Sequence, residues 1–511
     1  MIARPRHGTV EVLYETPGSL FVSDVQVDTP QWVRDAVFYQ IFPDRFARSL
    51  SVPKSNHLDE WGSPPTYNGY QGGDLAGVAE HLDYLQDLGV NAVYFTPVFQ
   101  SASNHRYHTH DYEKVDPMLG GDAALRKLVD QAHARGMRVV LDGVFNHASR
   151  GFFQFHDILE NGADSAYLDW FHIAKFPLNA YHPEEPPNYQ AWWNLPALPK
   201  FNIRCDAVRE FLLSVAVRWI DFGIDGWRLD VANEIDDDDF WRAFRQRVRQ
   251  ANPDAYIVGE VWTDSRRWLQ GDMWDAVMNY EFTRCCISYF IGDGVDRSEL
   301  ERTALSTAGP KGAEAFAGGI ERLRGLYKPE VTAVMLNLLG SHDTARYISL
   351  ARGDFSALRL ATLFQMTYPG APSVYYGDEI GMQGGHDPAN RGAFPWHAPD
   401  SWDHDLLHYF QRLIGLRNAR KALRRGSFRV LHAAGDVFAH SCKLGDDVVF
   451  VIFNAGTATQ RLDLPVHDQA ADGVELTDPW SRKGVKIEAG QVRGLELAPR
   501  SGTVLATRLD S

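Results

Sequence analysis

Four short stretches carry residue types that an apolar strand does not need. In GWRLDVANE (226–234), Arg228 and Asp230 sit two apart in an otherwise apolar run. Residues i and i+2 of a strand leave the same face, roughly 6.6 Å apart, so a cation and a carboxylate would lie side by side. YIVGEVW (256–262) places Glu260 in a second apolar run, with Trp262 on the same face. LDGVFNH (141–147) ends in Asp142, Asn146 and His147, and LLGSHD (338–343) ends in His342 and Asp343. One carboxylate ending a strand is usually a turn or cap residue. Four acids, an arginine and two histidines converging on one rim suit glycoside cleavage. That reaction takes one carboxylate as nucleophile and one carboxylic acid to protonate the leaving oxygen. A third acid can hold the substrate. The charge of Arg228 is expected to keep Asp230 ionised, and Trp262 is expected as an apolar neighbour of Glu260.

These residues need a scaffold that brings strand ends together. Eight short apolar runs recur along the chain, at 36–42, 92–99, 138–146, 223–232, 255–262, 276–280, 334–343 and 372–379. Amphipathic helical stretches lie between them, two of which end at Gly89 and Gly136, where a left-handed C-cap suits glycine. Near-continuous hydrophobicity marks parallel strands buried on both faces. Eight such strands with helices between them read as an α/β fold, a (β/α)8 TIM barrel whose active site lies at the strand C-termini. A doubly wound sheet is the alternative, but no GxGxxG turn follows the first strand.

The boundaries follow from shifts in pattern. Residues 1–31 form a short N-terminal segment, and 32–147 with 205–424 form the barrel. Residues 148–204, rich in aromatics, Pro and Asn, form an inserted subdomain after strand 3. From 425 to 511 the pattern alternates with period two between tight turns, as in a C-terminal antiparallel β domain of sandwich type.

Composition narrows the ligand. The net charge of -15 argues against nucleic acid, which needs a basic footprint. The 14 tryptophans suit a neutral ligand with apolar faces, such as a sugar. No run of eighteen apolar residues suggests a membrane span. Cys205, Cys285, Cys286 and Cys442 lack disulfide or metal spacing and read as free thiols in a reducing, cytoplasmic compartment.

The stretches DGVFNH, GWRLDVANE, VGEVW and LLGSHD resemble the four signature motifs of the α-amylase family of glycoside hydrolases, in order and each on the expected strand. ANPDAYIVGEVW, LPKFN (198–202) and YYGDEIGMQGGHDP are similar to the cyclomaltodextrinase, neopullulanase and maltogenic amylase branch. The resemblance implies Asp230 as nucleophile, Glu260 as general acid/base and Asp343 as the carboxylate that holds a distorted sugar. It implies that Tyr107 stacks on the sugar, that His147, Arg228 and His342 contact it, and that Arg391 adds a further contact. The substrate implied is an α-glucan oligosaccharide, a maltooligosaccharide, cyclodextrin or pullulan, cleaved with retention and some transfer. An α-glucosidase or a 4-α-glucanotransferase would use the same residues, and a non-catalytic sugar-binding barrel would lack part of the acid trio.

Two departures from the branch stand out. Its usual N-terminal β domain has no counterpart before Trp32, so its dimerisation and its preference for short or cyclic substrates are not carried over. The stretch after PDRF is poor in Asn and Asp, and Glu234 stands where the wider family places a calcium-site histidine. No metal and no cofactor are expected. His105, His108 and His110 read as substrate-facing or solvated, Asp236–Asp239 as the acidic start of a helix, and Trp192 and Trp193 as either core or a sugar platform.

Overall fold

A computed structural model describes residues 27–508, apart from 182–184, 304, 306–310 and 467. The expected N-terminal segment therefore falls mostly outside the described residues. Eight parallel strands form the barrel: β1 (Phe38–Ile41), β2 (Ala92–Phe95), β3 (Arg138–Gly143), β4 (Gly226–Leu229), β5 (Tyr256–Gly259), β6 (Ala276–Val277), β7 (Leu336–Leu338) and β8 (Ala371–Tyr375). Each pairs in parallel with its neighbour in sequence, and β1 pairs with β8. A bridge between Met278 and Leu336, with Asn279 N–H donating to the Leu336 carbonyl (2.8 Å), closes the ring between β6 and β7.

Every strand is shorter than its apolar run. The run at 92–99 stops as a barrel strand at Phe95, ahead of Pro97, which has no N–H for the ladder. Phe99–Ser101 then turns away to pair antiparallel with Thr109–Val115. Val144 and Phe145 remain buried past the end of β3, because the turns that floor the site are themselves packed. Hydrophobicity reports burial, and burial outlasts the hydrogen-bonded ladder. Asp230, Glu260, His342 and Asp343 accordingly lie just beyond their strands, whereas Asp142 and Arg228 lie within theirs.

Helices α1 (Leu82–Leu88), α2 (Gly121–Ala134), α3 (Asp206–Phe222), α4 (Asp238–Ala251), α5 (Ala313–Leu326), α6 (Phe355–Thr367) and α7 (His404–Ala419) pack outside. Gly89 caps α1 at φ 93° and Gly136 follows α2 at φ 72°, conformations that a Cβ disfavours. Asp237 caps α4, its carboxylate accepting from Phe240 N–H (2.8 Å), so the acidic run does begin a helix. The expectation of a helix between every pair of strands fails between β5 and β6. Turns span that gap, and Trp268 stacks on Trp274 there (ring centroids 5.0 Å apart, 15° between planes) to cover the barrel.

The insert packs Phe152, Phe155, Phe171, Tyr189 and Phe201 into an aromatic core over the barrel mouth. The C-terminal part has one sheet of β9 (Ser427–Ala434), β10 (Val437–Leu444), β11 (Asp447–Asn454), β16 (Ser501–Thr507), β13 (Glu475–Thr477) and β14 (Gly484–Lys486), in that order. A second sheet pairs β12 (Gln460–Pro465) with β15 (Gln491–Leu497). The sheets enclose a core of their own, including Phe450, Ile452, Leu464 and Val492. The larger sheet turns its other face to the barrel, where Phe438 and Phe453 meet Phe364 of α6. All four cysteines are free, and among the described residues no helix is long and apolar enough to cross a membrane.

Candidate active site

The site is built around one guanidinium. Arg228 of β4 is paired in register with Asp142 of β3 and has no solvent exposure. Its Nη1 donates to Asp142 Oδ1 and Oδ2 (3.0 Å each) and to Asp230 Oδ1 (3.1 Å). Its Nη2 lies 3.0 Å from Glu260 Oε2 and 4.0 Å from Asp343 Oδ2. Four carboxylates from four strand ends thus share one buried cation. An uncompensated charge at such depth would cost several kcal/mol.

Sharing changes the expected electrostatics. Burial and then the charge of Glu260 push the Asp230 carboxyl well above the usual carboxylate range, with Arg228 opposing them. Burial raises Asp142 to about 6, against the pull of Arg228. Burial also raises Asp343, against Arg391 and Arg228. Arg228 does pull the Asp230 carboxyl down, as the sequence suggested, but burial and the neighbouring acids oppose that pull.

Each acid has its own supports. Glu260 accepts from Trp262 Nε1 (2.9 Å) at Oε1 and from Val231 N–H (2.9 Å) at Oε2. Trp262 is thus a hydrogen-bond donor as well as an apolar neighbour, and its ring lies flat on Tyr280 (3.6 Å, 7°). Val231 has φ 38°, a genuine outlier for a β-branched residue. The chain tolerates this strain directly after Asp230, where it aims the Val231 N–H at Glu260. Arg391 places Nη2 3.6 Å from Asp343 Oδ1 and Nη1 3.1 Å from Asp387, while its Nε donates to the His342 carbonyl (3.0 Å).

A polar chain runs beneath this layer. Gln40 Nε2 of β1 lies 2.7 Å from His342 Nδ1, and His342 Nε2 lies 2.6 Å from the Tyr107 hydroxyl. Burial holds His342 well below the usual imidazole range, so it carries one N–H. With Gln40 donating to Nδ1, that proton sits on Nε2 and points at Tyr107. Tyr107 then donates to Asp142 Oδ2 (2.8 Å), which also accepts from Tyr94 of β2 (3.0 Å).

The cleft above measures about 790 Å³ and is lined by Asp230, Glu260, Asp343, Tyr107, His147, Trp262 and Arg391, among others. Asp142, Asn146, Arg228 and His342 do not line it. They lie in the layer below, so of the three sugar contacts implied for His147, Arg228 and His342, only His147 reaches the wall. Asn146 touches His147, with its Nδ2 3.2 Å from Nδ1. Trp192 stacks on His147 and Trp193 on Trp192 (5.4 and 4.6 Å). Trp193 is 68 % exposed, so this pair lies in the cleft wall and not in a core. His105 and His108 face the cleft, and among the described residues no group of three His, Cys, Asp or Glu is placed to hold a metal. Lys200 Nζ donates to the Glu234 carbonyl (2.7 Å), putting an ammonium beside that residue.

Sequence reading missed Gln40, Tyr94 and Val231. Gln40 and Tyr94 carried the same signal that singled out Arg228, a polar group inside an apolar strand run. Val231 carried none, because an apolar side chain does not disclose a left-handed backbone.

A closed parallel barrel with a carboxylate cluster at its strand C-termini is an arrangement that glycoside cleavage can use. The model of the α-amylase catalytic domain matches residues 40–401, and that of the neopullulanase-like C-terminal domain matches residues 428–506. A cyclomaltodextrinase from a Bacillus species is 46% identical over 455 residues, covering 88% of this chain and 77% of that one. Neopullulanase 2 of Thermoactinomyces vulgaris is 40% identical over 482 residues, covering 93% and 78%. The solved debranching enzyme of Nostoc punctiforme superposes with a TM-score of 0.86 at 47% identity, covering 94% of this chain and all of that one. The chain belongs to the α-amylase family and is an α-glucan hydrolase.

Proposed function

We propose that the chain cleaves α-1,4 and some α-1,6 glucosidic bonds of maltooligosaccharides, cyclodextrins or pullulan by a retaining, two-step mechanism. Asp230 attacks the anomeric carbon while Glu260 gives its proton to the departing glycosidic oxygen. The glycosidic C–O bond breaks, and an ester between Asp230 and the sugar forms. Glu260 then takes a proton from water, whose oxygen displaces Asp230 and restores the α configuration. A sugar hydroxyl in place of water gives transfer. Asp343, held by Arg391, accepts hydroxyl hydrogen bonds from the reacting sugar, and Tyr107 and the Trp192–Trp193 pair supply its apolar walls.

The observation that carries this reading is the sharing of Arg228 by Asp230 and Glu260, with Glu260 also pinned to the N–H of the residue after Asp230. A shared guanidinium keeps the two carboxyls near each other, which supports a retaining pair, whose carboxyls lie roughly 5–5.5 Å apart. The four free cysteines support a reducing, cytoplasmic setting, and the net charge of -15 supports a neutral substrate over nucleic acid.

The test is chromatography of products from β-cyclodextrin, pullulan, starch, maltotriose, sucrose and trehalose in parallel. Maltose and glucose are expected from the α-glucans, with longer products from concentrated maltotriose, and nothing from sucrose or trehalose. Asp230→Asn should lower every rate by about 10³-fold or more. Turnover confined to sucrose or trehalose, or a near-native Asp230→Asn, would contradict the reading.

A further inference from the structure

A second cavity, about 420 Å³, opens beside the catalytic cleft and shares wall residues with it. His108, Leu195 and Leu198 line both. Arg150, Tyr181 and the segment from Pro196 to Leu198 complete the second one. Its size is within the range of small-ligand sites, about 300–1,000 Å³.

The lining is mostly apolar, with an imidazole and a guanidinium set into it. Arg150 donates to the Ala180 carbonyl and lies over the Tyr181 ring, 4.5 Å from its centroid. That contact fixes the ring and leaves it 65 % exposed. Trp193 (68 %) in the cleft wall and Leu195 (38 %) on the shared wall are also exposed. Leu195 lines both cavities, so it links Trp193 of the cleft to Tyr181 of the side cavity. A neutral ligand with apolar C–H faces and hydroxyls at its edges matches such a path, because rings and Leu195 cover the faces while His108 and Arg150 meet hydroxyls.

We propose that this side cavity is an accessory glucan subsite, which takes glucose units of a chain whose cleavage point lies in the catalytic cleft. The chain would run past the Trp192–Trp193 platform and over Leu195 onto Tyr181. Two cavities meeting at a shared wall suit a bent or branched chain better than a short linear one. The proposal rests on the α-glucan reading above and deepens it, naming long and branched chains as preferred substrates.

The experiment compares kcat/KM for maltotriose, maltoheptaose and a singly branched maltooligosaccharide in wild type, Tyr181→Ala and Tyr181→Phe. Tyr181 is exposed, so both variants should fold, and circular dichroism and melting checks that. In Tyr181→Ala the ratio of kcat/KM for maltoheptaose over maltotriose should fall about tenfold, the scale of losing one anchoring aromatic ring. The branched substrate should show the same fall, and Tyr181→Phe should keep the wild-type ratios. Unchanged ratios in Tyr181→Ala, with wild type cleaving maltotriose normally, would overturn the subsite alone. A wild-type chain that cleaves none of the three would overturn the glucan reading and the subsite with it.

Discussion

Arg228 is the residue on which the site depends most. Its guanidinium, itself fully buried, meets Asp142, Asp230 and Glu260 at 3.0–3.1 Å. Breaking a buried charge cluster by removing one partner costs far more than the cluster contributes as a whole, because the remaining charges are left unpaired. Arg228→Met should destabilise the barrel by about 3–5 kcal/mol in chemical denaturation. It should also cut turnover at least about 100-fold, since both the positioning and the charge stabilisation at Asp230 and Glu260 are lost. Near-native stability together with near-native turnover would show that the acids are held by something else. The types and the spacing of these residues were legible in the sequence. The layering was not, because nothing in a motif separates a side chain that lines the cleft from one that supports it from below.

At the level of elements, strand ends do more than present catalytic groups. Glu379 follows β8 and is fully buried, and its Oε1 accepts from Tyr39 of β1 (2.7 Å) and from Tyr84 of α1 (2.6 Å). Burial pushes its carboxyl up to about 7, against those two hydroxyls, which favour the charged form. A carboxylate raised above its unfolded value near 4.5 binds more protons folded than unfolded between those two values. Stability should therefore fall as pH rises from about 4.5 to 7, by up to about 3 kcal/mol from this group. Glu379→Gln keeps an oxygen for both hydroxyls and cannot ionise, so its denaturation free energy should fall less over that interval. Parallel slopes for the two proteins would remove Glu379 from the account. Element type was readable from near-continuous apolar runs, whereas element ends were not. Val144, Phe145 and Leu339 are buried outside any strand, and Trp268, Leu269, Met273 and Trp274 are buried between β5 and β6 without a helix.

At the scale of the whole molecule, the order of pieces was legible, from the barrel through the insert after strand 3 to the C-terminal sheets. Their relation was less so. The aromatic seam of Phe364 against Phe438 and Phe453 joins residues far apart in sequence, and the cavity beside the cleft exists only because the insert folds over the barrel mouth. The same assembly brings Asp230 and Glu260 to one guanidinium and makes the two-step mechanism the central claim. Proton NMR of the anomeric signals in the first minutes of maltoheptaose hydrolysis, before mutarotation mixes the forms, tests that claim most directly. The account requires the α-anomer to appear first. A β-anomer appearing first would contradict the covalent intermediate and the roles given to Asp230 and Glu260.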